Sequence, residues 1–232
     1  MSIRLITFDL DDTLWDNRPV ILGAEAAMRN WLTLHTPRLA AQPVEHLWAI
    51  RSRLVQTEPG LRHRLSELRR RTLFHALEGV GYSRQEAVAL AEGAFQAMLR
   101  ARHQITFFPD TVPTLEHLAG RYHLGVITNG NADVRRLGLA DYFQFALCAE
   151  ELGIGKPDPR PFREALKRVG VTPEQAVHVG DHPGDDIRGA LDAGLRAIWF
   201  NPAGQTWDGE DGPDAEIRSL GELPALLNSW NP

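Results

Sequence analysis

Apolar and polar positions along the chain change their rhythm three times. A short apolar run from Ile3 ends in the carboxylates Asp9, Asp11 and Asp12, within I-T-F-D-L-D-D-T-L over residues 6–14. A run this short, closed by turn formers, predicts a buried strand. Asn17 and Pro19 then suit a helix cap and first turn. From there to about Arg102 the spacing is helical, in Val20–Leu34, Val44–Val55, Leu61–Leu77 and Arg84–Leu99. Breaks fall at Pro37, Pro43, Pro59-Gly60 and residues 79–83, with no strand pattern between them. The region predicts an all-α, four-helix insert of roughly 85 residues.

From Phe107 the rhythm alternates. Pro109–Leu118 predicts a helix, His123–Thr128 a strand, Asp133–Leu137 a short helix and Phe145–Cys148 a strand. Pro161–Val169 predicts a helix closed by Gly170, Ala176–Val179 a strand, Asp186–Ala193 a helix closed by Gly194, and Arg196–Phe200 a strand. Residues 202–213 read as loop and Leu220–Trp230 as a closing helix. Such alternation implies right-handed βαβ units, hence an α/β fold with a Rossmann-like parallel sheet flanked by helices. The expected domains are an α/β core of residues 1–15 and 104–232 and a helical cap of residues 16–103.

Composition narrows the function classes. With 232 residues, 43% apolar and 24% charged, the chain suits a packed core. A net charge of -5 argues against a nucleic-acid backbone as main partner, so a small anionic substrate would need a local cation. The single Cys148 allows neither an intrachain disulfide nor a multi-thiolate metal site, and reads as a small core residue. No stretch has the pattern of a secretion signal or a membrane span, so no membrane partner is expected and the expected location is the cytoplasm. Oligomeric state stays open.

The ends of the expected strands carry the chemistry. Asp9 and Asp11 follow the first, Thr128, Asn129 and Gly130 the second, and Gly180, Asp181, Asp185 and Asp186 the strand ending at Val179. Lys156 stands in G-K-P-D-P before a helix. In a parallel sheet these ends share one rim. Crowded ionised carboxylates repel unless a cation or proton intervenes, and a hard divalent cation such as Mg²⁺ suits oxygen ligands. Hydrolysis of a phosphate monoester there would need acceleration on the order of 10²¹, of which acid–base help supplies about 10² to 10⁴. Positioning and charge must do the rest. Asp9, the Asp11 backbone carbonyl and Asp181 are candidates to hold Mg²⁺. Lys156 can neutralise a phosphate oxygen, and Thr128 with the N–H groups around Asn129 can bind others. The Asp11 carboxyl can protonate the leaving oxygen and later deprotonate water, which completes a phosphoaspartate route.

F-D-L-D-D-T-L, I-T-N-G, G-K-P-D-P and V-G-D-H-P-G-D-D-I-R-G-A resemble, in order, the four motifs of the haloacid dehalogenase-like superfamily. The helical insert resembles its C1-type cap. The resemblance implies Asp9 as nucleophile, Asp11 as acid/base, Thr128 as phosphate-binding hydroxyl and Lys156 as charge stabiliser. It implies Asp9, Asp11, Asp181 and Asp186 at the metal, with Asp185 as the alternative to Asp186, and Leu10, Asn129 and Gly130 as substrate-binding positions. Members that displace halide from carbon lack the second-motif Asp, so Asp11 fits phosphate ester cleavage; mutases keep it too. D-D-T-L-W-D-N-R-P-V-I, I-T-N-G-N-A and Q-T-W-D resemble the bacterial flavin mononucleotide phosphatases. Those enzymes are also assigned to 5-amino-6-(5-phosphoribitylamino)uracil in riboflavin synthesis.

Plainer roles compete at several positions. Asp12 reads as a turn residue, Thr128 can cap its own turn, and Asp185 can cap the following helix. In L-R-H-R-L-S-E-L-R-R-R a solvated helix face with Glu67 pairs is expected, Arg69 and Arg71 being the residues to test. His182 lies beside Asp181 in a loop, and Trp15 is a candidate to face a cap cleft. Rival functions are a phosphatase for phosphoglycolate or a sugar phosphate, a phosphomutase, and a phospho-accepting receiver.

Overall fold

The computed structural model describes residues 2–209 and 211–230. Backbone contacts divide the chain into two compact units, Met1–Asp16 with Thr106–Pro232, and Asn17–Ile105. The chain opens with strand β1 (Leu5–Phe8), every residue of which is buried.

The second unit is helical. It comprises α1 (Asn17–His35), the short α2 (Pro37–Ala40), α3 (Val44–Thr57), α4 (Leu65–Gly79) and α5 (Arg84–Arg102). The helix expected from Leu61 starts later, because Pro59-Gly60 opens a 3₁₀ turn, Pro59–His63. Ala24, Met28 and Leu32 of α1 pack with Leu73 and Leu77 of α4 and Ala91, Phe95 and Met98 of α5. These residues recur every three or four positions, which is why the unit buries one stripe per helix. Ser83 and Glu86 form a reciprocal capping box that starts α5.

The first unit continues with α6 (Thr111–Ala119), β2 (His123–Thr128), β3 (Phe145–Cys148), α7 (Ala149–Leu152) and α8 (Pro159–Val169). It ends with β4 (Ala176–Gly180), α9 (Gly189–Asp192), β5 (Arg196–Phe200), β6 (Ala215–Ile217) and α10 (Leu223–Trp230). The described strands form one parallel sheet in the order β3-β2-β1-β4-β5-β6. β1 lies between β2 and β4, and the strand order reverses direction there, which is where open α/β sheets place ligands. Leu5, Ile127, Phe162, Ile187 and Trp199 share the core on one face.

Three local expectations change. Residues 133–137 form a turn closed by Leu137 N donating to Asp133 O at 3.2 Å, not a helix. β6 escaped the hydrophobic pattern because it is short and only Ile217 is buried. The expected helix from Asp186 begins earlier, as a π-helical turn at Pro183–Arg188. Among the described residues no helix is long and apolar enough to cross a membrane.

Candidate active site

β1 ends at Phe8, yet Asp9 N still donates to Val179 O at 2.9 Å, so Asp9 stands at the sheet rim. The chain then turns sharply. Leu10 O accepts from Leu14 N at 2.8 Å and Thr13 N at 3.3 Å, and Asp12 adopts φ 58°. Asp tolerates that left-handed conformation better than most side chains, so Asp12 is the bend itself. The turn lets Thr13 Oγ1 donate to Asp181 Oδ1 at 3.2 Å. The Leu10 side chain is fully buried beneath it. Trp15 is fully buried, with its ring edge-on to Phe107 at 6.1 Å between centroids.

At the end of β2, Thr128 Oγ1 accepts from Gly130 N at 3.0 Å and so shapes the turn. The Asn129 side chain braces Lys156. Its Nδ2 donates to Lys156 O at 2.9 Å, and its Oδ1 accepts from Lys156 N at 2.8 Å. Gly155 permits this, since a Cβ there would sit 2.3 Å from Asn129 Oδ1. Held this way, Lys156 Nζ donates to Asp9 Oδ1 at 2.6 Å and to Asp186 Oδ1 at 2.5 Å.

After β4 the π-helical turn folds Asp186 back under the sheet rim. Asp186 N and Ile187 N both donate to His182 O, at 3.0 and 3.3 Å. Gly180 leaves the room, because a Cβ there would lie 2.3 Å from Asp186 Cγ. His182 N donates to Asp186 Oδ2 at 2.9 Å. The His182 imidazole caps the turn by accepting from Asp185 N at 2.9 Å. Asp185 therefore does not cap; its Oδ2 accepts from Asn129 Nδ2 at 3.1 Å. Asp181 is held from β5, where Trp199 Nε1 donates to Asp181 O at 2.8 Å.

One oxygen each from Asp9, Asp181 and Asp186 lies within 4.8 Å of the others. Burial pushes the Asp9 carboxyl well above the usual carboxylate range; Lys156 pulls it back, while Asp186 and Asp11 add to the rise. Burial, then Asp186 and Asp12, lift Asp181 to about 6. Asp186 goes the other way: burial would raise it, but Lys156 and His178 hold it low. Burial alone would lower Lys156, and Asp186 and Asp9 together reverse that. Two carboxyls raised by burial, with hard oxygen donors converging beside a third carboxylate, are a donor set a divalent cation such as Mg²⁺ fits.

The rim thus gathers Asp9, Lys156, Asp181 and Asp186, with Thr128 at the end of β2 and Asp11 near enough to add to the rise of Asp9. Asn129 and Gly130 sit there too, but the Asn129 side chain and the Gly130 N–H are committed to Lys156 and Thr128. Cys148 is half-buried, not core: its Sγ donates to Gly130 O at 3.1 Å beside the rim. The arginine run is not one solvated face either. Arg71 pairs with Glu58, Arg70 with Glu92 at 2.7 Å, and Arg69 is largely buried. Sequence reasoning missed Thr7, Thr13, His178 and Trp199. The only signal for His178 was a basic residue inside an otherwise apolar buried strand.

Comparison with known proteins supplies the remaining finding. A model of the haloacid dehalogenase-like hydrolase family matches residues 3–194. The chain is 36% identical to the 5-amino-6-(5-phospho-D-ribitylamino)uracil phosphatase YigB of Escherichia coli, over 97% of this chain and 96% of that one. It is 34% identical to a phosphoserine phosphatase of Thermus thermophilus, over 95% and 98%. A crystal structure described as 2-haloacid dehalogenase from Pseudomonas syringae shares 63% identity, with a TM-score of 0.97 over 98% of this chain and 99% of that one.

Proposed function

The chain belongs to the haloacid dehalogenase-like hydrolase family, and from that premise we propose that it hydrolyses a small phosphate monoester through phospho-Asp9 with Mg²⁺ bound. The observation that carries this reading is Lys156 Nζ at 2.6 Å from Asp9 Oδ1, beside the three clustered carboxylates. Asp9, Asp181 and the Asp11 backbone carbonyl would hold the metal, with Asp186 in support. The metal would supply positive charge against the phosphate oxygens and keep Asp9 ionised. Asp9 attacks phosphorus while Asp11 protonates the leaving oxygen. Asp11 then takes a proton from the water that cleaves the acyl phosphate. Lys156 stabilises charge on the transferring group, and Thr128 donates its hydroxyl to it. Asn129 serves by holding the Lys156 backbone in place.

We read the unit Asn17–Ile105 as a cap that selects the leaving group. The first candidate substrate is 5-amino-6-(5-phospho-D-ribitylamino)uracil, supported by the relative in Escherichia coli, with flavin mononucleotide beside it on the motif resemblance alone. Phosphoserine, phosphoglycolate and sugar phosphates complete the panel, which is compared by kcat/KM with Mg²⁺. A flavin or riboflavin-precursor substrate ranking among the poorest removes that candidate and leaves the phosphatase reading standing.

A second reading is hydrolytic dehalogenation of a 2-halo acid, favoured by the 63% identical structure. Asp11 argues against it, because by family resemblance halide-displacing members lack this carboxyl. Parallel assays of halide and phosphate release separate the two. Halide release without phosphate release would replace the first reading by the second.

A further inference from the structure

The hydrogen bonds of the rim form a ring that begins at Thr7 on β1 and returns to Asp9, one residue past its end. Parallel register sets Thr7 of β1 beside His178 of β4, and both side chains are fully buried. His178 Nδ1 lies 2.9 Å from Thr7 Oγ1, and His178 Nε2 lies 3.1 Å from Asp186 Oδ1. Asp186 Oδ1 accepts from Lys156 Nζ, which also donates to Asp9 Oδ1. Asp9 is two residues beyond Thr7, on the same side of the strand. Phe162 packs edge-on against the imidazole at 5.2 Å, so the ring plane is set by packing as well.

The protons in this ring can be assigned. Both Asp186 oxygens already act as acceptors, Oδ1 from Lys156 Nζ at 2.5 Å and Oδ2 from His182 N at 2.9 Å, so His178 Nε2 is the donor in its contact with Oδ1. The Thr7 hydroxyl has two acceptors in reach, His178 Nδ1 at 2.9 Å and Val177 O at 3.4 Å, and the shorter contact makes Nδ1 the bare acceptor to which Thr7 donates. We propose that Thr7 and His178 are positioning residues for the reaction, orienting Asp186 and through it the Lys156 ammonium against Asp9. The inference rests on the reading of Asp9 as nucleophile for its kinetic consequence, but not for the proton assignment.

The test uses the full chain with Thr7→Val, which keeps the shape and removes the donor, and Thr7→Ser, which keeps the donor. Nitrogen NMR of the histidines in metal-free protein reads the tautomer, and steady-state kinetics on an aryl phosphate read the consequence. Wild type and Thr7→Ser should show His178 with hydrogen on Nε2 alone and Nδ1 as a hydrogen-bonded acceptor, whereas Thr7→Val should keep the hydrogen on Nε2 and move the Nδ1 resonance to that of an acceptor without its donor. Thr7→Val should lower kcat about tenfold with KM little changed, and Thr7→Ser should recover most of it. Hydrogen on Nδ1 in wild type, or identical spectra and kcat in both variants, would overturn the proposal. Absence of phosphate release by wild type would overturn the phosphatase reading instead, and the spectra would still decide the ring.

Discussion

Each unit of this molecule holds a cation away from bulk water, and the two are treated in opposite ways. Lys156 in the α/β unit is buried between two carboxylates, at 2.6 and 2.5 Å. Arg69 in the helical unit is largely buried, yet the hydrogen bond it makes is to Met28 Sδ at 3.9 Å. A thioether is a weak acceptor. Burial pulls the Arg69 guanidinium down; Glu25 opposes this and Arg51 reinforces it. Its neighbour Arg70 has Glu92 as partner and lies over the Phe95 ring at 3.8 Å. The contrast separates a cation that is part of a charge-balanced network from one whose burial is poorly offset. Removing the first leaves uncompensated carboxylates, whereas removing the second leaves almost nothing unpaired.

The largest effect is expected at the group Lys156 serves. Asp9→Asn should reduce turnover on the order of 10⁴-fold in steady-state assays, because an amide is a poor nucleophile. Full activity in that variant would detach the lysine from any catalytic duty. Lys156→Met comes next: thermal or denaturant unfolding of metal-free protein should show a loss of about 3–5 kcal/mol as two buried carboxylates lose their partner. A loss below about 1 kcal/mol would mean that Asp9 takes up a proton and relaxes the network.

A smaller effect concerns pH. Asp181 titrates near 3.8 when unfolded and near 6 when folded, so the folded chain binds its proton more tightly. Stability from this group is therefore present below the lower value and lost as pH rises through the higher one. It amounts to roughly 1–3 kcal/mol in metal-free protein. Mg²⁺ should raise Tm more at about pH 7.5 than at about pH 5, since the cation competes with protons for the same carboxylates. Equal gains at both pH values would place Mg²⁺ away from Asp181. The smallest effect is Arg69→Met, which should leave Tm unchanged or raise it, by no more than about 1 kcal/mol in stability. A clear drop in Tm would show that the Arg69 charge is offset in the free protein and would erase the contrast with Lys156.

Much of the fold and of the rim was legible beforehand. Strand length, helical spacing and Pro-Gly breaks are local properties, so the chain announces them directly. Asp9 and Asp181 could be named because they follow apolar runs at strand ends, and parallel connectivity sends those ends to one side; Lys156 could be named from G-K-P-D-P before a helix. The local misses have local reasons. β6 has only one buried residue, and residues 133–137 have helical spacing but settle as a single turn.

What the amino-acid order determined alone is the sheet-forming alternation, the helical insert and the list of groups available to the rim. Only the folded chain decided their pairing. Asp186 rather than Asp185 meets Lys156 because a π-helical turn adds one residue to the bend and Gly180 gives it room. Asn129 holds a backbone, and Thr7 meets His178 across two strands that are 171 residues apart. Of three adjacent arginines, two find acids and one finds a sulfur. Such partners are separated by loops whose length says nothing of direction, so distance and angle emerge only when the core has packed.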